Sequence, residues 1–318
     1  MRVFTAPALP PGYGEVGVTI GNFDGVHLGH QALVLRMQEK ARAHGCKGMV
    51  ITFWPHPLHV VAPHKAPPLL YTREQRLALL DALGVDTVLE LPFDRSFAAL
   101  TPEDFARRVL APVGCRELVI GYDFSLGKGR SGNFAVLQEL GERYGFGVER
   151  IEPVLVRNRV VSASRIREVL REGRVQNIPT LMGRWYGFNA PLSSGFGRGA
   201  GMGVPTLNMR PQTTMLPRNG VYASFVEANG HIWPAVTNVG MNPTFHNKHL
   251  TVESHLLDAT ICPDGTPPTV YFVQRLRGEQ RFASSEALVA QIRDDITQAR
   301  GILAAVAPPR PNAAGSPG

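Results

Sequence analysis

Short apolar runs alternate with longer amphipathic stretches along the first half of the chain. The apolar runs, several of them apolar throughout, predict buried β-strands over Val16–Ile20, Met49–Phe53, Thr87–Leu91, Glu117–Gly121 and Val148–Val156. Between them, apolar residues spaced three and four apart predict helices with one buried face over His30–Ala43, Arg73–Leu83, Pro102–Leu110 and Phe134–Tyr144. Because strands and helices alternate, we expect an α/β domain with a parallel, doubly wound sheet that binds ligands at its carboxyl edge.

The pattern changes in the second half of the chain. After a short predicted helix over Ser164–Arg171, glycine-rich loops separate runs that favour strands, namely Val221–Val226, Ile232–Val239, Thr251–Asp258 and Thr269–Leu276. Asn229 and Gly230 are typical of a two-residue hairpin turn between the first two of these runs. We therefore expect an antiparallel β-barrel or sandwich, followed by an amphipathic helix over Glu286–Leu303.

Length and composition indicate a folded enzyme of two domains. The 318 residues correspond to about two domains of 100–200 residues, and we place the boundary near Met182, giving domains 1–182 and 183–306 and a disordered tail 307–318. No apolar run approaches the roughly 18 residues that cross a bilayer, and prolines interrupt the amino terminus where a signal peptide would be apolar. We therefore expect a cytoplasmic protein without a membrane partner.

The excess positive charge is concentrated in one segment. The chain has 33 Lys and Arg against 26 Asp and Glu, a net charge of +7, and the segment 157–184 contains seven arginines against Glu168 and Glu172. Charge alone leaves open a solvated basic face, a phosphate site or RNA binding. Because no aromatic residue interrupts this segment, we expect no nucleic-acid partner.

A predicted strand, a glycine-rich turn and a helix start meet in the segment 18–30, VTIGNFDGVHLGH. His27 and His30 are three residues apart, so they lie on one side of the first helical turn, where backbone N–H groups attract anions. The glycines allow a phosphate to approach the backbone closely. The candidate triphosphate site consists of Gly21, Phe23, Asp24, Gly25, His27, Gly29 and His30. The alternatives are two surface histidines or two ligands of a metal.

The segment 21–31 resembles the amino-terminal module of the bacterial bifunctional riboflavin kinase/FAD synthetases, which are nucleotidyltransferases with an HxGH motif. Three further segments resemble motifs of the same module: TFWPHP at 52–57, GYDFSLGKGRSG at 121–132 and VSASRIR at 161–167. Trp54, Leu126 and Ala163 stand where the family has Glu, Phe and Ser. The resemblance implies an FMN adenylyltransferase, whose catalysis consists of positioning and charge stabilisation.

The resemblance also implies roles for individual residues of this module. His27 and His30 would hold the phosphates and the leaving pyrophosphate, and Ser164 and the catalytic Arg167 would bind them from a second helix start. Asp123 would orient substrate or Mg²⁺. From the residues alone, Ser164 is equally interpreted as a plain N-cap, and Asp123 as a residue that stabilises its own turn.

A second set of motifs begins with GFGRGAGMGVPTLN at 195–208. Its glycines suit a loop whose amides wrap phosphates, although such loops are also simple connections. Together with GVYA at 220–223, TNVGMNPTF at 237–245 and VESHLLD at 252–258, the segment resembles the riboflavin kinase module. In that family the module is a six-stranded barrel with a carboxy-terminal helix.

By this resemblance the second module phosphorylates riboflavin with ATP. Its candidate ATP-binding residues are Gly197, Gly199, Gly203, Pro205, Thr206 and Asn208. Thr206 and Asn208 would also bind Mg²⁺, which prefers oxygen ligands. Glu253 would take the proton of the riboflavin 5′-hydroxyl; because Thr251 and His255 share its face of the strand, a solvated polar face is the alternative. Ala200 stands where the family loop commonly has a second arginine.

The sequence thus predicts an enzyme that phosphorylates riboflavin to FMN and adenylylates FMN to FAD with release of pyrophosphate. ATP is the co-substrate, Mg²⁺ the cofactor, and the flavins are substrates and products. One alternative is that a single activity is retained, because Trp54, Leu126, Ala163 and Ala200 all fall in loops near substrate. Another is a nucleotidyltransferase for a different phosphorylated small molecule, which would leave the PTxN segment and Glu253 unexplained.

Overall fold

Each half of the chain contains one six-stranded sheet. The structure, a computed structural model, describes residues 1–193, 205–211, 215–244, 247–259, 261 and 265–309, with 242–244 and 247–249 described by backbone alone. Its contacts divide the chain into two units. Unit 1 is Met1–Pro68 with Arg73–Val161, and unit 2 is Leu69–Thr72 with the chain from Ser162 onward.

Unit 1 is built on a parallel sheet. Its strands are β1 (Arg2–Phe4), β2 (Val16–Ile20), β3 (Lys47–Trp54), β4 (Thr87–Pro92), β5 (Cys115–Gly121) and β6 (Gly147–Ile151). They are arranged in the order β1-β4-β3-β2-β5-β6, and all five neighbouring pairs are parallel. The chain proceeds to one side of β2 through β3 and β4, then crosses to the other side for β5 and β6. In such sheets ligands bind beyond the carboxyl ends of the two strands at the reversal, here β2 and β5.

Helices cover both faces of this sheet. They are α1 (Leu28–Ala43), α2 (Pro57–Val61), α3 (Arg73–Ala82), α4 (Arg95–Ala98), α5 (Pro102–Phe105) with a π-helical turn Ala106–Leu110, and α6 (Phe134–Tyr144). Alternate strand residues enter two apolar clusters: Val50 packs with Met37 of α1 and Leu80 of α3, while Ile51 joins the cluster that contains Leu137 of α6. The predicted doubly wound sheet is confirmed.

Unit 2 is built on an antiparallel sheet that closes on itself. Its strands are β9 (Tyr186–Asn189), β10 (Leu207–Met209), β11 (Gly220–Ala228), β12 (His231–Thr244), β13 (Asn247–Leu256) and β14 (Thr269–Arg277), in the order β10-β13-β12-β11-β14-β9. Beyond β9, Leu192 pairs with Met209 of β10, and the amide of Ser193 donates to the carbonyl of Asn208 at 2.9 Å. The two edge strands are thereby joined, as expected of a barrel.

Three helices accompany the barrel in the described part of unit 2. They are α7 (Ala163–Glu172), α8 (Pro179–Met182) and α9 (Ser285–Ala304). Ala299 and Leu303 of α9 pack with Phe225 and Tyr271 on one face of the barrel wall. Asn229 and Gly230 have φ of 51° and 72° in the predicted hairpin turn, which is confirmed by the pairing of β11 with β12.

Several predicted boundaries differ from the observed ones, and three of the differences have a clear local cause. Helix α1 begins at Leu28 because His27 caps it, and Ser162, rather than Ser164, caps α7 by accepting from the Arg165 amide at 3.3 Å. The predicted strand Val148–Val156 is interrupted after Ile151, because Pro153 has no N–H to donate. A separate hairpin follows, formed by β7 (Leu155–Val156) and β8 (Arg159–Val160).

The segment between Ser162 and Met182 belongs to unit 2 by its contacts. The amide of Arg218 donates to the carbonyl of Leu170 in α7 at 2.9 Å. Residues Leu69–Thr72 join the same unit, since the Leu69 carbonyl accepts from the Met215 amide at 2.7 Å. The functional division at residue 182 stays a prediction. In the described ranges, no helix combines the length and the apolar character needed to cross a membrane.

Candidate functional sites

A strained loop leads from β2 to α1. Gly21 donates its amide to the Ile51 carbonyl at 3.1 Å, and Phe23, Gly25 and Val26 then adopt φ of 50°, 85° and 38°. This left-handed conformation is open to glycine but costs other residues about 1–3 kcal/mol each. The fully buried side chains of Phe23 and Val26 offset that cost. The loop is therefore held by its own apolar side chains.

The two histidines lie together at the end of this loop. His27 caps α1, its Nδ1 accepting from the His30 amide at 3.3 Å, and the two rings stack with centroids 3.7 Å apart. A ring nitrogen that accepts carries no proton, so this cap leaves the proton of His27 on Nε2. That N–H is a donor suited to a phosphate oxygen. A Cβ on Gly29 would lie 3.2 Å from the His27 ring, so glycine keeps the stack undisturbed.

Asp123 lies at the same edge of the sheet, after β5. The register pairs Thr19 of β2 with Val119 of β5, so the two strands end side by side. The Asp123 side chain is exposed. The backbone carbonyl of Asp123 accepts a hydrogen bond from the Arg130 guanidinium at 3.1 Å. Partial burial, and to a lesser extent the charge of Asp123, raise the pKa of the neighbouring Tyr122. Leu126 pairs with Gly132, which folds the segment into a closed loop. The loop 21–27, which we call the histidine loop, and Asp123 thus lie where the strand order predicts a ligand crevice.

Two residues of this edge, His56 and Arg76, were not predicted from the sequence as site residues. His56 is buried and caps α2, its Nδ1 accepting from the Leu58 amide at 3.2 Å. Arg76 is buried under the ends of β2 and β3, where it donates to the Asn22 carbonyl at 3.0 Å. The sequence did contain a signal for Arg76, which lies one helical turn before Leu80 on the buried face of α3. A buried arginine needs a partner, because an unpaired buried charge is costly.

Ser164 and Arg167 lie in unit 2, in the first half of α7. Ser164 is the second residue of the helix, so the interpretation of Ser164 as the N-cap was wrong; that hydroxyl is supplied by Ser162. Arg167 is buried, with 4% of its surface exposed. Their roles toward ATP phosphates stay predictions.

In unit 2 the strand register brings two predicted site residues together. Asn208 of β10 lies directly opposite Glu253 of β13, and Asn238 of β12 lies opposite Glu253 on its other side. Directly opposed residues of antiparallel strands have Cβ atoms about 4.5–5.5 Å apart on one face. The side chains of Asn208 and Asn238 therefore start on either side of Glu253 on the same face, and Asn238 is a candidate site residue that was not predicted from the sequence.

The two faces of β13 differ sharply. Val252, Ser254 and Leu256 are buried, whereas Thr251, Glu253 and His255 are half-buried, as the predicted alternation requires. On the buried face, Thr237 Oγ1 lies 2.8 Å from Ser254 Oγ, which satisfies both hydroxyls inside the barrel. Glu253 is thus on the face of β13 that solvent partly reaches.

Thr206 and Asn208 form the proposed cation-binding pair. The Asn208 amide donates to the hydroxyl and to the carbonyl of Thr206, both at 3.3 Å. His255 anchors the preceding residue, with Nδ1 at 2.9 Å from the Pro205 carbonyl. Among the described residues, no group of three or more His, Cys, Asp and Glu side chains could hold a metal. Gly197, Gly199, Gly203 and Ala200 lie outside the described residues.

Comparisons with known proteins identify both halves. Residues 13–165 match the family model FAD synthetase, and residues 182–303 match the model riboflavin kinase. A protein of Escherichia coli strain K12 named bifunctional riboflavin kinase/FMN adenylyltransferase is 37% identical over 283 residues, which cover 88% of this chain and 90% of that protein. The chain belongs to this family. The Pseudomonas fluorescens protein of the same name is 36% identical over 300 residues, covering 93% and 96% of the two chains.

A solved structure supports the fold of this riboflavin kinase/FMN adenylyltransferase family member. The structure is described as a macrolide-efflux protein from Streptococcus pneumoniae; it is 26% identical to this chain, with a TM-score of 0.83 and coverage of 94% of this chain and 98% of the other. Membership of the family makes the chain a transferase. The nucleotidyltransferase segments 21–31, 52–57 and 121–132 lie in unit 1, whereas Ser164 and Arg167 of the last such segment, the PTxN segment and Glu253 lie in unit 2.

Proposed function

We propose that unit 2 phosphorylates riboflavin to FMN and that unit 1 adenylylates FMN to FAD, each with ATP. The observation that carries the proposal is the placement of the stacked histidines in unit 1 and of Glu253 in unit 2. Unit 1 has stacked histidines at the carboxyl edge of a parallel sheet. Unit 2 has Glu253 between Asn208 and Asn238 on the face of β13 that solvent partly reaches. The partners are therefore small molecules: riboflavin, FMN and ATP.

In the kinase reaction, the riboflavin 5′-oxygen attacks the γ-phosphorus of ATP. A bond forms between that oxygen and phosphorus, the bond from the γ-phosphorus to the β,γ-bridging oxygen breaks, and ADP leaves. Glu253 accepts the proton of the hydroxyl as its oxygen attacks. Asn208 and Asn238, on either side of Glu253, orient the carboxylate and the substrates by hydrogen bonds.

Mg²⁺ fits the donors at Thr206 and Asn208. The Asn208 amide nitrogen donates to the Thr206 hydroxyl at 3.3 Å, so the two side chains lie within reach of one ion. Rotation of the amide to bring its oxygen to that side would let a hydroxyl oxygen and an amide oxygen bind the same cation. Oxygen ligands without a full charge suit an ion whose remaining ligands are ATP phosphates and water. When bound there, Mg²⁺ would neutralise part of the phosphate charge.

In the adenylyl transfer, a phosphate oxygen of FMN attacks the α-phosphorus of ATP. The bond from the α-phosphorus to the α,β-bridging oxygen breaks and pyrophosphate leaves, so no side chain must act as a nucleophile. Negative charge grows on the leaving group, and donors placed in advance stabilise it. His27 supplies an Nε2–H, and His30 is held beside it by stacking at 3.7 Å. Because both reactions consume ATP, we propose that the enzyme works in the cytoplasm.

The test is a time course with riboflavin, ATP and Mg²⁺, in which the flavins are separated by chromatography. We expect FMN first, FAD afterwards, and neither product when Mg²⁺ is removed by a chelator. FMN without FAD would contradict the assignment of unit 1, and FAD formed only from added FMN would contradict that of unit 2. A parallel reaction with other phosphorylated small molecules in place of FMN tests whether unit 1 transfers the adenylyl group elsewhere.

A further inference from the structure

One buried guanidinium connects the ends of two strands at the edge where the histidine loop begins. Arg76 of α3 donates through NH1 to the Asn22 carbonyl at 3.0 Å, and through NH1 and NH2 to the Phe53 carbonyl at 3.4 Å. Asn22 lies just beyond β2, and Phe53 is the next-to-last residue of β3. Arg76 has 5% of its surface exposed, so these bonds are shielded from water.

A carboxylate on β4 holds this guanidinium in place. Glu90 is buried and accepts from Arg76 NH2 at 2.8 Å and from Arg73 Nε at 2.5 Å. Burial lowers the pKa of Arg76, while the charges of Glu90 and, more weakly, Asp24 act in the opposite direction. A buried charge is tolerated when it is paired and hydrogen-bonded, and both conditions hold here. The fold therefore maintains a costly group at this edge.

The two carbonyls belong to segments with predicted roles in adenylyl transfer. Asn22 opens the strained loop to His27, and Phe53 lies in the TFWPHP segment together with the neighbouring Trp54, whose ring lies 5.6 Å from the Arg76 guanidinium. A guanidinium is planar and presents several donors in fixed directions, whereas a lysine ammonium is a single point on a flexible stem. Only the guanidinium can bind Glu90 and both carbonyls at once in this geometry.

We propose that Arg76 is a positioning residue for adenylyl transfer, which fixes the histidine loop to the end of β3. The inference rests on the proposed function of unit 1. Loss of the connection displaces the histidines from the phosphates of the transition state, and a displacement of about 1 Å can cost about 100-fold in rate. Other groups also bind ATP, so loss of the connection should lower kcat more than it raises the KM for ATP.

The test compares Arg76→Lys and Arg76→Met with the matched control Arg73→Met. The control removes the other guanidinium bound to Glu90 and leaves the carbonyl bonds of Arg76 in place. We expect kcat for FAD formation from FMN to fall about 10-fold in Arg76→Lys and about 100-fold in Arg76→Met, with the KM for ATP changed less than about threefold. Arg73→Met should retain most of the activity. Riboflavin phosphorylation in the same samples should be unchanged.

Hydrogen exchange provides a readout that does not depend on activity. In Arg76→Met we expect faster amide exchange in peptides covering residues 21–30 and 52–57 than in the parent protein, and unchanged exchange in α6. If Arg76→Met does not fold, the same comparison is made with Arg76→Lys. The proposal is overturned by unchanged exchange in both segments, by an equal loss of kcat in Arg73→Met, or by a full kcat in folded Arg76→Met. A parent protein that exchanges as expected but forms no FAD would contradict the proposed function and not the connection.

Discussion

At the residue scale, the chemistry proposed for unit 1 depends on how a single hydrogen bond sets the tautomer of an imidazole. His27 accepts from the amide of His30, so its remaining N–H lies at Nε2. The same bond satisfies an amide at the helix start that has no partner within the helix. The His27 side chain thus caps α1 and presents the proposed phosphate donor. Both roles place the histidine at the residue where the helix begins.

His30→Ala should abolish most FAD formation and leave FMN formation intact. The substitution removes a proposed phosphate donor and one half of the stacked pair, and loss of one donor to a developing charge typically costs about 10²–10³-fold in kcat. The measurement is kcat for each reaction. His44→Ala is the matched control, because His44 is at the other end of the same helix, with Nε2 3.1 Å from Glu117. An equal loss in both variants would contradict the role of His30.

Glu253→Gln should abolish most FMN formation and leave FAD formation intact. The amide keeps the shape of the side chain but cannot take the proton of the riboflavin hydroxyl, so kcat for FMN formation should fall by about 10²–10⁴-fold. FAD formation from added FMN should persist. Asp258→Asn makes the same charge change at an exposed residue beyond β13 and should leave both reactions unchanged. Kinase activity within about threefold of the parent in Glu253→Gln would exclude a general base there.

The stability of unit 2 should fall in strongly alkaline solution because of Tyr222. Its hydroxyl donates to the Arg218 carbonyl, and burial raises its pKa to about 12, against about 10 in an unfolded chain. Below pH of about 10 the tyrosine is protonated in both states, so its contribution to stability is complete. As the pH rises from about 10 to 12, the unfolded chain releases the proton while the folded protein keeps it, and the free energy of unfolding falls by up to roughly 3 kcal/mol.

Tyr222→Phe should flatten this dependence. The measurement is urea unfolding, followed by tryptophan fluorescence, at several pH values between about 9 and 12. Other tyrosines also titrate in this range, so the informative quantity is the difference in slope between the variant and the parent protein. Identical slopes would mean that the Tyr222 hydroxyl titrates in the folded protein as it does in the unfolded chain.

At the scale of elements, a missing side chain in β2 sets the position of α1. A Cβ on Gly17 would lie 2.8 Å from Ala41 Cβ and 3.1 Å from Ala41 Cα. These atoms belong to the helix backbone or are attached directly to it, so the whole helix must move to accommodate a methyl group. The helix that moves is the one that His27 caps and whose first turn contains His30.

Gly17→Ala should therefore lower both stability and adenylyl transfer. Overpacking of this kind typically costs 1–3 kcal/mol, and kcat for FAD formation should fall while riboflavin phosphorylation in unit 2 does not. Gly301→Ala is the control, because that glycine lies exposed in α9 with nothing within 4 Å of its Cβ position. It should raise stability by about 1 kcal/mol through helix propensity. Thermal unfolding measures whether each variant is less or more stable than the parent protein. A Gly17→Ala variant as stable as the parent would contradict the close contact between Gly17 and Ala41.

At the scale of the whole molecule, the two proposed reactions are assigned to different units, with FMN as the product of one and the substrate of the other. FMN is a small, charged molecule that can dissociate and be bound again by another copy of the protein. A mixture of His30→Ala and Glu253→Gln proteins should therefore convert riboflavin to FAD, although neither variant does so efficiently alone.

The expected signature of this complementation is a lag. FMN must accumulate in solution before the second protein uses it, so the lag should shorten as the protein concentration rises. Chromatography of the flavins over time measures it. If each variant is active in its remaining reaction but the mixture forms no FAD, FMN is not released from the kinase site.

Much of the architecture could be predicted because it depends on local pattern. Apolar runs such as Val16–Ile20 and the helix Phe134–Tyr144 were predicted with their observed bounds, since a buried strand and an amphipathic helix each have their own periodicity. The strand, glycine-rich turn and helix start of segment 18–30 could also be predicted, because they are consecutive in the chain; phosphate binding by this segment stays a prediction.

The sequence by itself thus determined the two fold classes, the order of their motifs and the residue types that each proposed reaction requires. Only the tertiary structure decided which residues meet: Asn238 beside Glu253, Arg76 beneath the ends of β2 and β3, and residues Leu69–Thr72 in unit 2. These contacts join positions far apart in the chain, and no short-range periodicity encodes them. They follow from strand register and burial, which are fixed when the whole apolar core is packed at once.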